Sequence, residues 1–147
     1  MDKYEKYEDD CRKIRIENSL LLFEFNKWLK AKGLSNKTIE THLSNIDFFI
    51  NTYLLHREAL SAKEGVWEIS FYQVHWFIRK ALWSSVAHIK SNAASFKKFY
   101  KFMHEKGEID DEALEEVNWM VKEEMAEWIE EMEKFENLAY SDDLFGL

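Results

Sequence analysis

The stretch KAKGLSNKTIETHLSNIDFF, residues 30 to 49, joins two helical patterns across a single turn. Upstream, Leu21, Leu22, Phe25, Trp28 and Leu29 recur at steps of three and four and stop before Gly33, a residue suited to the left-handed C-cap of a helix. Downstream, Ser35 precedes Thr38 and the first apolar residue, Ile39, as an N-cap would. Ile39, Leu43, Ile46, Ile50 and Tyr53 then return at helical spacing, flanked by His42 and Phe49, and that face is expected in the core. The opposite face carries Lys37, Thr41, Ser44, Asn45 and Thr52 and is polar yet nearly uncharged. A helix start with free hydrogen-bonding groups offers unpaired N–H groups and a positive dipole end to a phosphate. Capping alone accounts equally for Ser35.

The same signals run through the rest of the chain. An N-terminal helical segment precedes helices at about 18–32, 36–57, 71–82, 85–106 and 111–137, with Ser70 and Ser84 or Ser85 as further N-caps and Gly107 as a second C-cap. Gly65 falls in the polar loop 61–65, and Gly65 to Ile69 reads as a short extended connector. The expected class is all-α: an N-terminal extension over 1–16, a unit of four core helices over 17–109, and an acidic amphipathic helix and tail over 110–147. A chain of 147 residues forms one domain and buries about 70 % of its unfolded surface. A hydrophobic content of 46 % with six Trp excludes a disordered segment. No apolar run approaches the roughly 20 residues of a membrane span, and the first residues lack a signal pattern. With the single cysteine, Cys11, read as a bland thiol, a reducing, cytoplasmic setting without membrane contact is expected.

The net charge of −8 argues at first against nucleic acid, but it hides a division. Residues 11–106 hold 16 Lys and Arg against 8 Asp and Glu, whereas residues 107–147 hold 2 against 15. A basic body and an acidic end are different physical objects. Within the body, at 100° per residue from Lys90, Lys97 falls at about −20°, Lys101 at about +20°, Ala94 at about +40° and His104 at about −40°. Phe96, Phe99, Tyr100, Phe102 and Met103 occupy the far side. Lysines in line with a small residue between them suit a polyanion, and equally suit a solvated face.

In the acidic end, Leu114, Val117, Val121, Met125, Trp128, Met132 and Phe135 form one apolar stripe among glutamates. The stripe packs on the domain, or serves self-association or another protein partner, or lets the acidic helix cover the lysines as a DNA mimic. The terminus from Tyr140 to Leu147 faintly resembles the acidic-hydrophobic tails by which repair proteins dock, although fraying is the simpler reading. His42, His56, His75, His88 and His104 show no metal-ligand spacing, and no phosphate loop or nucleophile elbow is present, so no metal or cofactor is expected. His88 reads as a core histidine.

FNKWLKAKGLSNKTIETHLSNIDFF resembles the start of the core-binding, or SAM-like N-terminal, domain of the tyrosine recombinase (phage integrase) family, with Phe25, Trp28, Leu29, Leu34, Ser35, Thr38, Ile39, Leu43, Ile46 and Phe49 in register. AASFKKFYKFMHEKGEI, residues 93–109, resembles that domain's closing helix through Phe96, Phe99, Tyr100, Phe102 and Gly107, and WEISFYQVHWFI is similar to its third helix. The resemblance covers roughly residues 17 to 109. Asn36 stands for the usual proline, His42 for a frequent aromatic, and no Asn-Pro follows the last helix. The family's catalytic domain has no counterpart in the remaining residues, so strand cleavage is not expected and the chain is read as no enzyme. What the resemblance implies is an orthogonal four-helix arrangement and duplex DNA binding through the second and fourth helices. Carried over residue by residue, it marks Lys37, Thr38 and Thr41 on one helix and Lys90, Lys97, Lys98 and Lys101 on the other.

Overall fold

In the computed structural model, which describes residues 2–81 and 84–145 with side chains up to residue 138, Asp2 accepts the Glu5 N–H at 2.8 Å and so starts the first helix, α1 (Lys3–Ala31). It is one helix where an N-terminal segment and a helix from 18 were expected. Cys11, Asn18, Phe25 and Leu29 mark its buried side, a near-heptad stripe that carries one face across the fold. Gly33, at φ +81°, turns the chain out of α1, with its N–H on the Lys30 carbonyl at 2.9 Å.

Ser35 caps α2, which comprises Asn36–Asp47 and a π-helical continuation, Phe48–Tyr53. The Leu54 N–H reaches back to the Phe49 carbonyl at 3.0 Å, closing a wide turn. The extra residue in that turn brings Phe49 and Ile50, and then Tyr53, Leu54 and Leu55, inward as consecutive groups. A 3₁₀ turn, Glu64–Glu68, follows where an extended connector was expected. It leads straight into α3, built of Ile69–Phe71, the π-helical Tyr72–Trp76 and Phe77–Lys80. Ser70 is therefore inside a helix and not its cap.

Ser85 caps α4 (Val86–Glu105) by accepting the His88 N–H at 3.1 Å. Gly107, at φ +84°, closes it, with the Glu108 N–H on the Met103 carbonyl at 2.9 Å. Asp110 then accepts the Ala113 N–H at 2.9 Å and opens α5 (Asp111–Phe145), whose first-turn carboxylates Asp111 and Glu112 suit the dipole. The chain is all-α, with no strand among the described residues.

A cluster of aromatic rings holds the helices together. Phe25 of α1 meets Phe99 of α4 edge-on at 5.2 Å, and Phe49 of α2 meets Phe96 of α4 at 4.7 Å and Tyr72 of α3 at 4.9 Å. The stripe of α5 joins this core: Val117, Trp128 and Met132 are buried, and Leu114, Val121, Met125 and Phe135 pack against them. Of the readings its spacing allowed, packing on the domain is the one this arrangement shows. The acidic-hydrophobic terminus, Tyr140 to Leu147, lies outside the residues whose side chains are described. Among the described residues no helix is long and apolar enough to cross a membrane.

Candidate nucleic-acid interface

Helices α2 and α4 are joined by a polar seam. Asn45 donates from Nδ2 to Ser91 Oγ at 2.9 Å and to Ser95 Oγ at 3.0 Å, and its Oδ1 lies 3.0 Å from His88 Nε2. Ser95 Oγ continues to His42 Nδ1 at 2.7 Å. His88 donates to Asn45 Oδ1, and the Ser95 hydroxyl can donate to His42 Nδ1 or accept from it. Their surroundings favour the neutral imidazoles. Burial holds His42 below its ordinary pKa, helped by the nearby Lys98 charge, and burial alone lowers His88.

The seam corrects one expectation. Asn45, placed on the outer polar face of α2 by periodicity, is buried and turned into α4. Ser91 and Ser95, polar residues beside the apolar face of α4, were the available signal, but only the packing of the two helices pairs them with Asn45.

Around the seam the basic residues stand as follows. Lys37, Thr38 and Thr41 are exposed on the first turns of α2. Ser35 Oγ donates to Thr38 Oγ1 at 3.0 Å, which leaves the Thr38 proton for an outside acceptor, while Thr41 Oγ1 turns back to the Lys37 carbonyl at 3.1 Å. Lys90, Lys97 and Lys101 are exposed along α4 with Ala94 between them, and Lys98 is half-buried on the side toward α2. Its charge acts on His42 of α2, which places Lys98 near the seam.

Ion pairing divides the described lysines, and the row on α4 shares the unpaired state with Lys3, Lys27, Lys30, Lys32, Lys63, Lys80 and Lys122. Lys6, Lys13, Lys106 and Lys134 each hold a carboxylate, Lys106 reaching Glu24 at 2.6 Å. Among the described residues Lys37, Lys90, Lys97, Lys98 and Lys101 form no ion pair. The acidic helix α5, expected in one reading to cover them, forms no ion pair with them among the described residues; its Glu124 meets Ser70 and its Asp111 meets the half-buried His104 at 2.6 Å. A nearby depression lined by Ser44, Asn45, Asp47, Phe48 and His88 holds about 200 Å³, less than the ~300 Å³ at which small-molecule pockets begin. No group of three His, Cys, Asp or Glu side chains is placed to hold a metal among the described residues.

No protein-family model, no curated protein and no solved structure matches this chain.

Proposed function

We propose that the chain is a non-catalytic DNA-binding domain, with α1 to α4 in the orthogonal arrangement of the recombinase core-binding domain and α5 added on its flank. The observation that carries this reading is the lysine row of α4, exposed, in line and free of ion pairs, with Lys37 and Thr38 exposed at the start of α2. Phosphates along a duplex recur with one charge per about 1.7 Å of axis, so a row of cations spaced along a helix meets several at once. Lys90, Lys97, Lys98 and Lys101 supply the charge, and Lys37 and Thr38 add contacts at the helix start. Contacts of this kind fix position on the backbone and do not read bases. Binding in the non-specific range, Kd about 10⁻⁴ to 10⁻⁶ M, is the scale expected.

The test is fluorescence-anisotropy titration of a labelled duplex against the full chain over a series of salt concentrations. The full chain is required because α5 fills the core, and a chain cut before it would expose that core. The full chain should bind with log Kd rising linearly in log salt. Changing Lys90, Lys97 and Lys101 together to Ala should reduce that slope by up to about 3. Binding of equal strength and slope in the triple variant would remove the lysine row from the interface, and no binding at low salt would end the DNA reading.

A further inference from the structure

Ile16, Leu20 and Phe23 are 68, 57 and 56 % exposed on α1. At 100° per residue they fall within about 60° of one another, whereas the buried residues of the helix, Cys11, Asn18, Phe25 and Leu29, lie on its opposite side, about 140 to 180° away from Ile16. The helix therefore has two apolar stripes, and the fold of a single chain uses only one. The outer stripe sits in the middle of a graded charge pattern. Residues 2–10 bear Asp2, Glu5, Glu8, Asp9 and Asp10 against Lys3 and Lys6, and residues 27–32 bear Lys27, Lys30 and Lys32 with no acid among them.

We propose that α1 is a homodimer interface in which two copies pair antiparallel about a two-fold axis near residue 18. In that register Ile16 of one chain faces Leu20 of the other, Asp9, which within its own chain holds Arg12 at 2.9 Å and Lys13 at 3.1 Å, faces Lys27 at both ends, and the Lys13 stem lies near Phe23, the ring that Lys27 approaches at 4.5 Å within its own chain. A parallel pairing would set the acidic turns on each other and the lysines on each other. Charge thus selects the second copy and its direction, and the apolar stripe provides the attraction. The helix is about 43 Å long, so the pair is extended but narrow, and its affinity belongs to the weak class of interfaces. This inference does not rest on DNA binding.

Sedimentation equilibrium on the full chain tests it. A monomer–dimer equilibrium with Kd on the order of 10 μM is expected. Leu20→Glu should abolish the dimer, and because Leu20 is exposed the circular dichroism and thermal midpoint should hold. Asp9→Lys and Lys27→Asp should each weaken the dimer at least tenfold, and the double variant should recover it. A monomer at the highest attainable concentration overturns the proposal and leaves the stripe to a different protein. A dimer indifferent to Leu20→Glu places the interface elsewhere. A dimer lost in Leu20→Glu but not recovered by the charge exchange refutes the antiparallel register.

Discussion

A methyl group at position 65 would stand 2.8 Å from Leu54 Cδ1, 2.8 Å from the Tyr100 hydroxyl and 2.9 Å from Phe49 Cε2. None of the three can move freely, since Leu54 and Phe49 are in the core and the Tyr100 hydroxyl donates to the Ala62 carbonyl at 2.7 Å. Gly65→Ala should therefore cost about 1–3 kcal/mol in urea unfolding through overpacking. Gly33→Ala meets nothing within 4 Å and should cost only about 1 kcal/mol, from its left-handed backbone. An unchanged urea midpoint for Gly65→Ala would show that the site can give. The two histidines of the seam make a second prediction. Both have folded-state pKa values below 6.5, so the unfolded chain takes up their protons more readily. Their contribution to stability is fully present above pH 6.5 and is lost as pH falls through their folded values. The thermal midpoint should drop as pH falls below 6.5, and His42→Gln should flatten the drop. A pH-independent midpoint down to the carboxylate range would contradict the neutral seam.

Among the elements, the helix ends were the most legible part of the sequence. Ser35, Ser85, Gly33 and Gly107 act on their own neighbours, so local chemistry suffices to place them. The π turns of α2 and α3 were not legible, because an inserted residue in a helix changes which side chains face inward without leaving a local mark. Ser70 shows the limit from the other side: it has the right identity for a cap, but its hydroxyl serves Glu124 of a helix some fifty residues on. The lysine row of α4 was readable from spacing alone, whereas its freedom from ion pairs depends on where α5 packs. That packing is tightest at Trp128, which is fully buried and whose Nε1 has no hydrogen-bond partner among the described residues. Trp128→Ala should cost about 3–5 kcal/mol and Trp128→Phe clearly less, since the latter keeps a ring and discards an unpaired N–H. Equal costs for the two in urea unfolding would mean that the indole ring is not what seats α5.

For the molecule as a whole, charge is segregated and not neutralised. The lysines of α4 stand beside the acidic helix α5 without an ion pair to it among the described residues, although His104 of α4 meets Asp111 at 2.6 Å, so a polyanion meets attraction at short range and repulsion from the net −8 beyond it. Changing the exposed Glu123, Glu127 and Glu130 of α5 to Gln should tighten duplex binding at low salt and leave it unaltered at high salt, where such fields are screened. Anisotropy titrations at both ends of the salt range check this, and equal affinities at low salt would make the acidic helix a bystander. At the other end of the chain, the first half of α1 is tied to the body by the Tyr7 hydroxyl on the Leu55 carbonyl, Cys11 packed beside it, and Asn18, which donates to the Ile50 carbonyl at 3.2 Å and to Asn51 Oδ1 at 2.8 Å. Cys11 is the chain's single cysteine and is 2 % exposed. A thiol reagent can therefore reach it only when that half-helix lifts away. Its labelling rate under native conditions becomes a stopwatch for one local opening, expected to run faster than global unfolding and to quicken when Tyr7→Phe removes the nearest tie.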